Sequence, residues 1–408
     1  MSTPGESGGV EGQSAGSRGG LTPLSIVIGT VLIDLIGFGI VLPLLPLWAE
    51  EFGASPAQVG ALAATYALAQ VIAAPLWGMA SDRVGRRPVL LVSLAGASVG
   101  AFLTGFAGSL WLLFLARALH GASGASYVAA QAYVADVTSP ERRARGMGLI
   151  GAAFGVGFVI GPAIGAGLAL IDLRAPFIFA GALAALGFLV ALRFLPESRP
   201  VTVRMQEAAT RTARRLPREA YGILAVAFVA TAAFVGVEAI FALFVERQLG
   251  YGPVAIALVF VYIGVAAVIS QGLLVGPVAR RWGEARMLVG GLVGTGLGML
   301  AVGLSDELWQ LLPALLLMAL AWGFVYAGIS TLITFQAGDH APGGTLGVLG
   351  SASGLARVGG PRGAGVALGA RGAPAPLLSG AALLGLCVLA APLALSRTTT
   401  NLVAPASR

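Results

Sequence analysis

Charge is scarce in this 408-residue chain: Asp, Glu, Lys and Arg make up 11% of it, less than half of the roughly 25% usual in soluble domains. A soluble globule of that composition could not cover its surface with polar groups, so the soluble enzyme, the nucleic-acid binder and the disordered protein are set aside as classes. Lysine is absent, and all 25 basic residues are arginine. Without lysine there is no Gly-rich GK[ST] loop to cradle a nucleotide phosphate, so no ATP-hydrolysing activity is expected within the chain. The single cysteine, Cys387, lies in an apolar run. It excludes a disulfide framework and a zinc cluster, and no metal site or cofactor is expected. What is abundant is apolar: 57% hydrophobic residues and a mean hydropathy of +0.88 describe a chain whose solvent is the bilayer.

The first twenty residues, MSTPGESGGVEGQSAGSRGG, are Gly/Ser-rich and fit neither a signal peptide nor a folded element, so residues 1–20 are expected to be a disordered tail. From Leu21 onward, apolar stretches long enough to span recur between short polar or Gly/Pro-bearing turns. Twelve are counted: 22–48, 57–79, 88–107, 109–134, 146–168, 175–195, 220–245, 253–278, 286–304, 308–335, 345–370 and 374–396. With the N-terminus placed in the cytoplasm, 19 arginines fall on the cytoplasmic side, 3 outside (Arg174, Arg247, Arg371) and 3 within spans. The net charge of +7 therefore reads as membrane topology and not as a polyanion site. Shifting the count by one would send an arginine cluster outside, which favours an even number of spans with both termini inside. The expected fold class is an all-α integral membrane protein of twelve transmembrane helices in two pseudo-symmetric six-helix bundles.

The longest interruption, 196–219, is basic and separates six spans from six. The expected organisation is a bundle over 21–195, a cytoplasmic linker over 196–219, a bundle over 220–397 and a tail over 398–408. An internal repeat supports it. Gly78-Met-Ala-Ser-Asp82-Arg83-Val-Gly85 follows the second span, and Gly276-Pro-Val-Ala-Arg280-Arg281-Trp-Gly283 follows the eighth, 198 residues later. Gly161-Pro162 in the fifth span is echoed by Gly360-Pro361 in the eleventh. Two related six-helix halves with a site between them near mid-membrane are a design of many secondary transporters.

The segment Gly78 to Leu90, with Asp82, Arg83, Gly85, Arg86 and Arg87 inside it, resembles the loop between the second and third helices of the major facilitator superfamily, in its drug:proton antiporter branch. The resemblance implies that Gly78, Asp82, Arg83, Gly85, Arg86 and Arg87 form a conformational latch in which Asp82 pairs across helix ends. The two glycines permit a tight turn against neighbouring helices. Three further segments resemble the same branch: Asp34-Leu-Ile-Gly37-Phe-Gly39 with Pro43 and Pro46 in the first span, Arg117-Ala-Leu-His120-Gly121 in the fourth, and Gly157-Phe-Val-Ile-Gly161-Pro162-Ala-Ile-Gly165 in the fifth. His120 stands where the family usually has Gln. The fifth-span pattern is similar to the motif regarded as the antiporter signature, and the resemblance implies that it contributes to the contact between the halves. Independently of any family, Gly157, Gly161 and Gly165 share one helix face on which another helix can pack closely, while Pro162 weakens the backbone ladder.

Ionisable residues inside a membrane are costly and mark function by default. Asp34 lies roughly 18 Å along its span and Arg117 roughly 12 Å along an antiparallel one, at similar depths in a core about 30 Å thick. Asp34 is expected to bind and release the transported proton, with Arg117 stabilising its carboxylate when close. Glu238 in the seventh span is a candidate second proton site or a counter-charge for a cationic substrate, and His120 a candidate member of the proton path. In the eleventh span Arg357 stands where related transporters often have a basic residue. Arg362 occupies a position that is normally apolar, with facing Glu238 as one reading of its role. Arg280 replaces, in the second loop, the Asp of the first. Candidate cavity-lining residues are Phe38, Tyr127, Gln131, Phe241, Gln271, Trp322, Tyr326, Gln336 and Arg357, a composition suited to amphipathic planar drugs.

Together these features predict a proton-coupled exporter of amphipathic drugs, tetracycline-like or multidrug, in the bacterial cytoplasmic membrane. Its partners are protons, a small molecule and the bilayer, with no nucleic acid, and a monomer is expected. A proton-coupled metabolite or sugar symporter on the same fold is the first alternative, disfavoured by the fifth-span pattern. A non-transporting scaffold or sensor is the second, disfavoured by the shortness of the 196–219 segment.

Overall fold

The computed structural model describes residues 22–124, 126–138, 140–198, 220–337 and 342–402, without the side chains of 82, 126–128, 135, 140–145, 336, 337, 342–347 and 392–402. The expectations for the tail 1–20, for all but the first three residues of the linker, for residues 403–408 and for the side chains of Asp82, Tyr127 and Gln336 lie outside that description.

Every regular element among the described residues is helical. In chain order they are α1 (Pro23–Glu50), α2 (Pro56–Val84), α3 (Arg86–Gly105), α4 (Leu110–Ala122), α5 (Ser126–Val137), α6 (Pro140–Ala169), α7 (Ala175–Phe194), α8 (Ala220–Leu249), α9 (Pro253–Ile269), α10 (Val275–Trp282), α11 (Glu284–Gly303), α12 (Leu308–Ala337), α13 (Pro342–Arg371) and α14 (Ala375–Leu402). Nine helical runs among the described residues are long and apolar enough to cross a membrane, one of them Pro253–Trp282, which joins α9 to α10. The pair α4–α5, α13 and α14 complete twelve crossings. Helix α14 runs on to Leu402, past the boundary expected at 397.

Local chemistry sets the helix starts. Thr22 caps α1 by accepting from the Ser25 amide, and Ser55 caps α2 in a reciprocal box: Ser55 N–H donates to Gln58 Oε1 at 2.8 Å and Gln58 N–H to Ser55 Oγ at 3.4 Å. Pro56 at the first helical position has no N–H to leave unpaired.

Two spans depart from the uninterrupted helices expected. The fourth breaks at Ser123–Gly124, between α4 and α5, and the carbonyls exposed by the break are met by side chains of neighbouring helices. Trp77 Nε1 donates to the Ala122 carbonyl at 2.6 Å, Gln70 Nε2 to that of Gly124 at 3.3 Å, and the Ser93 hydroxyl to that of Ser123. Irregular backbone at membrane depth survives where protein satisfies it in this way. The eighth contains a π turn, Ser270–Leu274, whose Ser270 hydroxyl donates to the Leu320 carbonyl at 2.6 Å.

The internal repeat is realised in three dimensions. Gly85 (φ 117°) and Gly283 (φ 78°) turn the chain after the second and eighth spans, and Gly53 and Gly250, both at φ 70°, turn it after the first and seventh. A methyl on Gly161 of α6 would lie 2.7 Å from Gly39 Cα of α1, and a methyl on Gly236 of α8 would lie 2.7 Å from the Gly360 carbonyl oxygen of α13. First with fifth and seventh with eleventh spans thus meet backbone to backbone at corresponding places. Gly78 differs from Gly85: a methyl there would meet nothing within 4 Å among the described residues, so no close packing seen there requires glycine. Gly78→Ala is expected to leave thermal stability within about 0.5 kcal/mol, whereas Gly85→Ala strains a backbone only glycine adopts easily and costs about 1–3 kcal/mol; thermal unfolding of the purified variants in detergent distinguishes the two.

Among the described residues the halves share a core at one face of the molecule. One buried cluster merges the ends of the first half (Leu44, Trp48, Leu62, Phe177) with the second half (Phe241, Leu292, Leu315, Ile333). A separate cluster of the first half alone, including Val27, Val31, Leu90, Tyr133 and Ile150, lies towards the face that carries the arginine-rich turns. On the opposite face Arg247 of α8 donates to Glu50 of α1, tying one half to the other. Between these, α2 meets α13 and α6 meets α9 across the seam: a methyl on Gly264 would lie 2.6 Å from the Phe158 carbonyl oxygen, and Gly60 abuts the Pro361 carbonyl. Among the described residues, the core common to both halves reaches the opposite face, and a core of the first half alone lies towards the arginine-rich face.

Candidate functional site

Helix α1 brings Asp34 and Phe38 to one face, a turn apart. Asp34 and His120 line one small cavity with Gly37, Ala97 and Ala184. Arg117 is buried, 5% exposed, with its guanidinium 4.3 Å from the centroid of the Tyr66 ring. Its Nε finds no hydrogen-bond partner among the described residues, and the aromatic face offsets part of the cost of its burial. His120 stands edge-on to the same ring at 5.5 Å, and Phe38 lies 6.2 Å from it. Gly121 permits this cluster, because the position of its missing side chain is filled by the Tyr66 backbone. The charges of Asp34, Arg117 and Arg357 all act on Tyr66.

From the second half come Arg357, exposed on α13, and Glu238, partly accessible on α8 and within electrostatic reach of Arg357. Aromatic walls flank the charges. Phe38 leads to Phe158 at 5.8 Å, Phe158 stacks on Phe154 at 4.7 Å, and Trp322 stacks on Phe234 at 4.0 Å with the planes 1° apart. Tyr326 lies a turn beyond Trp322 and is exposed; Gln271 is exposed in the π turn and Gln131 partly buried on α5.

Three expectations need correction. Phe241 is 2% exposed and packs on Phe244 and Phe260 in the core, so it does not line a cavity. Arg362 lies on the side of α13 that exposes Leu355 and Val366, away from the face that meets α8, and it is Arg357 that acts on Glu238. The glycine face of α6 packs within the first half: methyls on Gly157 and Gly161 would meet Leu35, Ile36 and Gly39 of α1, and one on Gly165 would lie 3.2 Å from Leu44. The contact of α6 with the other half is carried by its neighbouring face, through Gly155 and Phe158.

The latch residues also find partners that the motif did not name. Arg86 donates to the Ser81 hydroxyl at 2.8 Å and pairs with Asp136 at 3.4 Å, while Arg87 donates to the Leu192 carbonyl at 2.7 Å. The first-turn amides of α3, Arg86 N–H and Arg87 N–H, donate to the Glu197 carboxylate at 2.9 and 3.2 Å, placing a negative charge at the positive end of that helix. Arg83 is exposed. Tyr66, Phe158, Phe234, Asp136 and Glu197 were missed in the sequence; for Asp136 and Glu197 the available signal was a carboxylate next to each arginine-rich turn.

The Major Facilitator Superfamily model matches residues 27–361. The chain belongs to the major facilitator superfamily. It is a multi-pass membrane protein of a transporter class. This superfamily member is 34% identical over 341 residues to the class E tetracycline resistance protein of Escherichia coli, covering 81% of this chain and 84% of that protein. It is 29% identical over 272 residues to multidrug resistance protein 2 of Bacillus subtilis (strain 168), covering 64% of this chain and 68% of that protein. A solved bacterial homolog of the human lysosomal transporter Spinster, in an inward-facing and occupied conformation, shares the fold with a TM-score of 0.78 at 18% identity over 92% of this chain and 96% of that one.

Proposed function

We propose that this superfamily member exports tetracycline-like or other amphipathic drugs from the bacterial cytoplasm in exchange for protons, by alternating access between its halves. The reading is carried by the similarity to tetracycline resistance proteins over four-fifths of the chain, together with a membrane-embedded carboxylate, Asp34, that shares a cavity with His120, a turn along α4 from the buried cation Arg117. Asp34 binds the proton, and the aromatic walls around Phe38, Phe158, Phe234 and Trp322 hold the flat apolar parts of a drug. Arginine enrichment on one face orients that face to the cytoplasm, and with it both termini. The carrier works as a monomer in the cytoplasmic membrane, with the proton gradient as its only energy source.

Purified protein in proteoliposomes, with a fluorescent pH reporter in the lumen, tests this reading. Addition of tetracycline or of a cationic dye is expected to release protons from the lumen. Silence towards every compound, from protein that still binds tetracycline, would show a carrier not coupled to protons.

A further inference from the structure

The turn that joins α10 to α11 repeats the turn that joins α2 to α3, but the two differ in how their arginines are met. In the first, Arg86 pairs with Asp136 at 3.4 Å, and the Glu197 carboxylate accepts from the amides of Arg86 and Arg87. At the 198-residue offset of the repeat, Asp136 falls on Thr334 and Glu197 on Leu395, so neither carboxylate has a counterpart in the second half. The Thr334 hydroxyl donates to the Ser330 carbonyl of its own helix. The second turn adds cations instead. Arg280, in place of Asp82, and Arg281 close the last turn of α10, where the helix dipole favours them, but Arg286 stands in the first turn of α11, where it does not. Arg280 and Arg281 are exposed, and among the described residues none of these arginines forms an ion pair, with Glu284 or any other carboxylate.

An apolar stripe continues from this cluster. Trp282 is exposed and folds back along α11, its ring 4.0 Å from where a methyl on Gly290 would lie, roughly 10 Å beyond the turn. Arg286, Gly290, Val293 and Leu297 follow at helical spacing on one face of α11, and Gly290, Val293 and Leu297 are exposed, as is Leu300. On a membrane span such a face meets acyl chains. We propose that Arg280, Arg281, Arg286 and Trp282 bind the headgroup of an anionic phospholipid, whose acyl chains lie along Val293 and Leu297. Guanidinium groups take phosphate oxygens in paired, charge-assisted hydrogen bonds, and tryptophan prefers the headgroup level. A glycerol headgroup leaves the phosphate charge whole, whereas choline would bring a further cation to a cluster already positive. In the first turn Asp136 and Glu197 supply the negative charge that the lipid supplies in the second.

The test reads lipid binding and not transport. Full-length protein in detergent is titrated with dioleoylphosphatidylglycerol or dioleoylphosphatidylcholine, and native mass spectrometry counts the lipid retained. The parent protein is expected to bind the anionic lipid at least about tenfold more tightly, and Arg280→Gln/Arg281→Gln/Arg286→Gln to bring the two affinities within about twofold. Arg193→Gln, which removes an exposed arginine of the first half, should keep the preference. Should the triple variant not fold, Arg286→Gln alone is expected to lower the preference by about threefold or more. Equal affinity of the parent protein for both lipids, or a preference that the α10–α11 variants retain, would overturn the proposal. So would displacement of the anionic lipid by millimolar inorganic phosphate, which would mark a site for the free anion.

Discussion

Asp34→Asn is expected to abolish uphill export: tetracycline accumulation driven by an imposed proton gradient in proteoliposomes should fall at least about a hundredfold, some 2.7 kcal/mol of coupling free energy. The substitution keeps shape and removes the titrating oxygen, so it separates chemistry from packing. Asp34 lies in a cavity with His120, among residues whose burial makes a change of charge energetically large. Downhill exchange of labelled for unlabelled tetracycline needs no net proton movement and is expected to persist in the variant. Retention of uphill accumulation would remove Asp34 from the proton path, and Glu238, within reach of Arg357, would become the residue to examine.

Gly161→Val is expected to have the largest effect on the fold. A methyl at that position would already lie 2.7 Å from Gly39 Cα and from the Ile36 carbonyl oxygen, both backbone atoms that cannot rotate away. Two further methyl groups require α1 and α6 to separate, costing about 3 kcal/mol or more by overpacking in a closely packed interface. Because α1 also carries Asp34 and Phe38, the same displacement opens the site. The measurement is thermal unfolding in detergent beside tetracycline binding, and both should decline together. Gly167→Val on the same helix, where a methyl would meet nothing within 4 Å among the described residues, is the control and should change neither.

Much of the site was readable because intramembrane charge is rare enough to count. Asp34, Arg117, His120, Glu238 and Arg357 stand out from apolar runs, and each of the five interacts with another of them or with Tyr66. Tyr66 itself was not readable: one aromatic in an apolar helix looks like any other until its neighbours are known. The same holds for Phe158 and Phe234, whose ring partners lie on other helices. Phe241 shows the converse, an aromatic that composition offered to the cavity and packing placed in the core.

By itself, the sequence determined the membrane as solvent, the number of crossings, the two-half organisation and the identity of the titratable groups. Hydropathy, arginine placement and repeated turn glycines are local properties, and each is written in consecutive residues. Only the tertiary structure decided which face of α6 meets α1, which arginine of α13 acts on Glu238, where the fourth span breaks, and where the described cores of the two halves merge. Those outcomes depend on the rotation of each helix about its axis and on side chains far apart in the chain. In a bilayer the apolar effect that buries one face of a soluble helix is weak, so close backbone packing at glycines such as Gly39, Gly161, Gly236 and Gly360 sets the orientation instead.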